Sequence, residues 1–169
     1  MKALFLDRDG IINKRIVGGY VRTIDEFHLL DDILPVLRRA HDHGYKLILI
    51  TNQQGVGKGL MSREQLDVIH QHMQHLLHER LGFALDAIYD CTSLASDNDP
   101  RRKPEPGMLL EAITDHHLDP AQCWFIGDSI SDAQAGRAAG VKTMLVGEFE
   151  ERDADRVFVD LRNVDKHLF

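Results

Sequence analysis

Four short polar groups stand out in the chain: Asp7-Arg8-Asp9-Gly10, Thr51-Asn52-Gln53-Gln54-Gly55, Arg102-Lys103-Pro104, and Gly127-Asp128-Ser129 with Asp132 shortly after. Carboxylates gathered in one place repel one another unless a divalent cation neutralises them. Oxygen ligands of this kind suit magnesium, so a metal is implied. A lysine and a threonine hydroxyl beside that metal, Lys103 and Thr51, would complete a cradle for a phosphoryl group. One carboxylate could then attack phosphorus. A second, two residues along, could give a proton to the leaving alkoxide and later take one from water.

Such chemistry needs elements that bring the four groups together. Short aliphatic runs alternate with helical patterns, the signature of a parallel sheet covered by helices. Strands are expected at Ala3 to Leu6, Lys46 to Ile50, Ala87 to Tyr89, Cys123 to Ile126, Thr143 to Val146 and Val157 to Val159. Asp31 or Asp32 is expected to cap a first helix with Pro35 in its first turn and Gly44 at its close. Ser62 and Gln65 spell a capping box before the apolar stripe Leu66, Ile69, Met73, Leu76 and Leu77. Further helices follow Pro106 and span roughly Ile130 to Ala139, while 92–102 and 148–155 read as polar connections. The expected fold is α/β: a Rossmann-like, three-layer, doubly wound parallel sheet. In such a sheet ligands bind outside the carboxyl ends of the strands. The groups after the first, second and fourth strands, and the cationic pair before the third helix, all fall on that edge.

The 169 residues suit one domain, 1–169. A hydrophobic fraction of 43% and a charged fraction of 28% exclude disordered and fibrous classes. No apolar run approaches the ~20 residues that span a bilayer, and the N-terminus has no signal-peptide pattern, so no membrane partner and a cytoplasmic location are expected. The net charge of −7 offers no general attraction for nucleic acid, and none is expected as a partner. Two cysteines, Cys91 and Cys123, are too few for a disulfide framework. Protonating all ten histidines would take the formal charge from −7 to +3, which makes the chain responsive to mild acid.

Several of these signals have plainer readings. Paired aspartates often sit in turns, Asn52 could cap a turn, Lys103 and Arg102 could be solvated, and Asp132 suits the first turn of a helix. Gly55-Val56-Gly57-Lys58-Gly59 resembles a nucleotide-binding loop, but Asn52 and Gly59 stand where Gly and Ser or Thr are required. A flexible turn with Lys58 on its rim is expected instead. His70, His72, His75 and His78 lie on or beside the face of their helix opposite the apolar stripe, and a solvated face is expected.

The order DRDG, TNQQG, RKP and GDSISD resembles the four motifs of the haloacid dehalogenase superfamily of phosphohydrolases, over nearly the whole chain. GYVRTIDEF and TNQQGVGKG are similar to the minimally capped branch that contains heptose 1,7-bisphosphate phosphatases and histidinol-phosphatase domains. The resemblance implies Asp7 as the nucleophile that forms an aspartyl-phosphate and Asp9 as general acid and base. It implies magnesium held by Asp7, Asp128 and the backbone carbonyl of Asp9. Thr51 and Lys103 would bind the phosphoryl group, Asn52 would help to position it, and Arg102 would reach the substrate. Asp132 would stand behind the metal, orienting a metal-bound water or Lys103. The expected partner is a small phosphorylated metabolite, such as D-glycero-D-manno-heptose 1,7-bisphosphate. The alternatives are histidinol phosphate, another small phosphate ester, or a catalytically silent phosphate-binding domain. The oligomeric state is left open.

Two departures from that pattern stand out. Relatives carry a Cys-x-His and Cys-x-Cys zinc loop before Arg-Lys-Pro, but here only Cys91 remains, with Ser93, Asp99 and Arg101 at the other positions. No structural zinc is expected. Ser129 replaces the usual Lys or Arg after the fourth-motif aspartate, so one substrate-side or phosphate-side cation is expected to be missing.

Overall fold

The computed structural model describes residues 1–168. Six strands form one parallel sheet in the order β3-β2-β1-β4-β5-β6: β1 (Ala3–Leu6), β2 (Lys46–Asn52), β3 (Ala87–Cys91), β4 (Trp124–Gly127), β5 (Lys142–Val146) and β6 (Arg156–Phe158). This is the doubly wound order, with its reversal between β1 and β4, where a crevice opens at the strand ends. Pleating sends alternate residues to opposite faces. Leu4, Leu6, Leu47, Leu49, Trp124 and Ile126 pack against α1 (Leu34–Asp42), α3 (Arg63–Leu81) and α6 (Val164–Leu168). Ala3, Phe5, Ile48, Ile50 and Phe125 pack against α4 (Gly107–Asp115) and α5 (Ile130–Ala138). Both faces are therefore covered, which is why KLILI has no polar alternation. Among the described residues no helix is long and apolar enough to cross a membrane.

Three expectations need correction. The strand β2 continues through Thr51 and Asn52, which pair with Asp90 and Cys91 of β3 and lie on the strand's end. The first α-helix starts at Leu34 without a side-chain cap, because Asp31–Ile33 is a single 3-10 turn leading directly into it. Its Pro35 does sit in the first turn, where a missing N–H costs nothing. The expected flexible turn at 55–59 is in part a one-turn helix, α2 (Gln54–Gly57). Ser62 and Gln65 form their reciprocal cap at the start of α3, at 3.1 and 2.7 Å. Cys123 lies just ahead of β4 and is buried, with its Sγ accepting from Ala3 N at 3.3 Å.

Candidate active site

The carboxyl edge of the sheet collects the expected groups. Asp7 directly follows β1, and its backbone N–H still donates to Ile126 O of β4 at 3.1 Å, so the pairing of the central strands fixes its position. Asp128 follows β4. Carboxylate oxygens of Asp7, Asp128 and Asp132 come within 4.8 Å of one another. Gly10 has a left-handed backbone, φ +92°, and a Cβ there would collide with the Asp128 carboxylate. The glycine of DRDG is thus required twice over, for the turn and for the close approach.

Lys103 reaches into this cluster from the loop before α4. Only 5% exposed, its Nζ donates to Asp132 Oδ1 at 2.6 Å, Asp7 Oδ1 at 2.8 Å and Ile50 O at 3.0 Å. Burial would lower its proton affinity, but the Asp132 and Asp7 carboxylates outweigh it and hold the ammonium protonated. Asp132 spends its other oxygen on Asp128 N, Ser129 N and the Ser129 hydroxyl. It therefore orients Lys103 and closes the turn into α5 together. Ser129 serves that turn and adds no cation. Asn52 holds the same lysine from the other side: its Nδ2 donates to Lys103 O at 3.0 Å and its Oδ1 accepts from Lys103 N at 3.1 Å. Its amide is therefore committed to the backbone of the lysine.

Charge crowding gives the site a clear preference. Burial and the Asp132 charge push Asp7 up to about 7, against the pull of Lys103. Burial, opposed by Arg15 and assisted by Asp132, pushes Asp128 up to about 6. Ionising both at once calls for a further cation, and the all-oxygen donor set fits magnesium. Arg15 meets part of that demand, its Nη2 donating to Asp128 Oδ1 at 2.9 Å.

Asp9 has a different environment. Its Oδ1 accepts from Asn13 Nδ2 at 2.9 Å and Arg8 Nη2 at 3.1 Å, and its Oδ2 from Gln53 Nε2 at 2.8 Å. Burial alone would raise its pKa. The Arg8 guanidinium and the amide donors win, leaving it below the ordinary carboxylate value. Gln53 Nε2 also donates to Thr51 Oγ1 at 2.9 Å, so Thr51, Gln53 and Asp9 form one row. Gln53, Arg8, Asn13 and His70 carry no role in the sequence reading. The i, i+2 spacing of Thr51 and Gln53 at a strand end was the available signal for the first.

A cavity of about 500 Å³ opens beside Asp9, lined by Arg15, Tyr20, Gln54, Lys58 and Arg102 among others. Arg102 Nη2 donates to Gln54 Oε1 at 3.3 Å, and Lys58 Nζ to Tyr20 Oη at 2.9 Å. Gly18, Gly19, Tyr20 and Val21 line this mouth, and the 92–102 loop contributes only Arg102. The latter loop is clamped at Asp99. The Asp99 carboxylate accepts from Ser93 Oγ at 2.5 Å, Arg101 N at 2.8 Å and Cys91 Sγ at 3.5 Å. Arg101 donates to Asp90 O and Glu111.

The match to known proteins agrees with this geometry. Residues 1–140 match the family model described as hydrolase, haloacid dehalogenase-like hydrolase. This chain belongs to that family. Among relatives of this haloacid dehalogenase-like hydrolase, the D-glycero-beta-D-manno-heptose-1,7-bisphosphate 7-phosphatase of Helicobacter pylori (strain ATCC 700392 / 26695) is 43% identical over 145 residues, 86% of this chain and 83% of that protein. The enzyme of the same name from Haemophilus ducreyi is 39% identical over 151 residues, 86% and 82% of the two chains. The crystal structure of D,D-heptose 1,7-bisphosphate phosphatase from B. bronchiseptica, complexed with magnesium and phosphate, superposes with a TM-score of 0.88. It is 32% identical and covers 99% of this chain and 98% of that one. The hydrolase described here is thus an enzyme whose named relatives are phosphatases, with the same three-layer fold.

Proposed function

We propose that the chain is a magnesium-dependent phosphomonoesterase acting on a small sugar bisphosphate, with heptose 1,7-bisphosphate as its substrate and the 7-phosphate as the group removed. The observation that carries the mechanism is the buried Asp7–Lys103–Asp132 contact at the strand edge, with Asp128 beside it. Asp7 attacks phosphorus as the P–O bond to the sugar breaks, and Asp9 gives its proton to the departing oxygen. Water then attacks phosphorus, its proton passes to Asp9, and the bond to Asp7 breaks to release phosphate. The resting contacts of Asp9 favour its base form. A phosphoryl dianion entering beside it raises its proton affinity, which suits the acid step. Lys103 and Thr51 hold equatorial oxygens, Asn52 and Asp132 hold Lys103, and Arg102 at the mouth meets the rest of the substrate. Magnesium would be held by Asp7, Asp128 and the Asp9 carbonyl, and supplies positive charge as the phosphoryl group transfers.

The 92–102 loop is read as held without zinc, since the residues at the relatives' ligand positions bond one another through Asp99. Elemental analysis of purified protein should find no stoichiometric zinc. The function is tested by phosphate release from heptose 1,7-bisphosphate and from a panel including histidinol phosphate. Wild type with magnesium should prefer the bisphosphate, and Asp7→Asn should lose at least about 10³-fold in kcat. Equal rates in the two proteins would remove Asp7 as nucleophile, and a clear preference for another ester would remove the heptose substrate.

A further inference from the structure

Arg8 is the largest side chain that the fold buries completely. A buried charge needs partners, and removing one is costly. Its Nη2 donates to Asp9 Oδ1 at 3.1 Å, while Nη1 lies 3.1 Å from His70 Nε2. Among the described residues its Nε has no hydrogen-bond partner. A guanidinium offers only donors, so His70 Nε2 must supply a lone pair, which makes the ring neutral with its proton on Nδ1. That Nδ1 lies 3.8 Å from Asp90 Oδ2. Asp90 is in turn gripped by Arg63, whose Nη2 donates to the same oxygen at 2.7 Å. The charged groups facing His70 are thus Arg8 from the β1 loop, Asp90 from β3, and Arg63 and Asp67 from its own helix. Burial and Arg8 push the imidazole down to about 4, in keeping with a neutral ring. Neither Arg8 nor His70 lines the mouth cavity, whereas Asp9 does.

We propose that His70 is a positioning residue for Asp9: by accepting from Arg8 Nη1 it holds the guanidinium against Asp9 Oδ1, and so fixes the carboxylate where it meets the leaving oxygen. This rests on the reading of Asp9 as general acid. Its Oδ1 has Asn13 as a second donor, so losing the Arg8 hold loosens the carboxylate without freeing it.

The test uses leaving groups of different basicity. An alkoxide must be protonated as it departs, whereas p-nitrophenolate leaves without help. The ratio of kcat/KM for heptose 1,7-bisphosphate to kcat/KM for p-nitrophenyl phosphate therefore reports proton delivery. It covers only steps up to leaving-group departure, and it cancels any difference in folded fraction between preparations. His70→Leu should lower the ratio by about 10-fold or more, part of the roughly 10²- to 10⁴-fold that a general acid contributes. His70→Gln, which keeps an acceptor for Arg8, should restore most of it. A proportional fall with both substrates, an unchanged ratio in His70→Leu, or a His70→Gln ratio as low as that of His70→Leu would each overturn the proposal. Should wild type not cleave the heptose ester, that substrate reading fails separately, and the ratio is measured with whichever alkyl phosphate in the panel wild type cleaves.

Discussion

Lys103 shows how much of the site depends on single buried groups. Its ammonium neutralises two carboxylates that are themselves 6% and 1% exposed, Asp7 and Asp132. Lys103→Met would keep most of the stem and strand both carboxylates, which should cost about 3 kcal/mol in urea unfolding. The loss should be larger at pH 8 than at pH 5.5, because Asp7, already pushed up to about 7, takes up a proton at the lower pH and no longer needs the counter-charge. Under the proposed mechanism phosphatase activity should fall by about 10²-fold or more, since Lys103 is the cation assigned there to the transferring group. His70 acts on stability with the opposite pH sense. Its folded value of about 4 lies below the unfolded 6.5, so between those values the unfolded chain binds a proton that the folded protein does not. Stability is intact above pH 6.5 and falls as pH drops toward 4, by ~3 kcal/mol in all. His70→Gln should therefore show a flatter acid limb in denaturant melts, and an identical limb in both proteins would refute the linkage. The ten histidines suggest acid sensitivity in the sequence, and His70 is buried where the sequence leads one to expect a solvated face. Helical periodicity puts His70 beside the apolar stripe, and only the tertiary fold reveals the buried arginine that makes it polar and interior at once.

At the scale of elements, the turns after β1 and β4 set the carboxylate geometry. A Cβ on Gly127 would run into the Asp132 carboxylate. Gly127→Ala should push that carboxylate off Lys103, destabilise the fold by about 1–3 kcal/mol, and lower kcat while α5 stays helical by circular dichroism. The loop ahead of Lys103 is held by Asp99, which is half-buried. Asp99→Ala should raise hydrogen exchange of the 93–101 amides and raise KM through Arg102; unchanged exchange would show that the clamp does not organise the loop. Strands such as KLILI were legible because burial on both faces leaves no polar alternation to misread. The end of β2 was not, because Thr51 and Asn52 are polar and serve the site while still pairing with Asp90 and Cys91. The four site groups were legible for a related reason: a doubly wound sheet sends the residues following its central strands to one edge, whatever the intervening chain does.

For the whole molecule, the net charge of −7 matters less than where charge is concentrated. With no metal bound, burial and the neighbouring carboxylates push Asp7 up to about 7 and Asp128 up to about 6, both above the ordinary carboxylate range. From about pH 4 to 7 the folded protein therefore binds more protons here than the unfolded chain, and these two groups lower stability as pH rises. Magnesium requires the ionised carboxylates and must displace those protons, so its affinity rises over the same range. The increase in Tm on adding a fixed saturating concentration of magnesium should be small at pH 5.5 and grow toward pH 8. Taking the difference between melts with and without metal at each pH cancels His70 and every other group whose titration the ion does not alter. Asp128→Asn, which removes one of the two titrating ligands, should both reduce the magnesium-induced shift at pH 8 and flatten its rise with pH. A shift that is independent of pH in wild type would mean that the carboxylates at the strand edge are already ionised without the ion, and that Lys103 and Arg15 alone balance their charge.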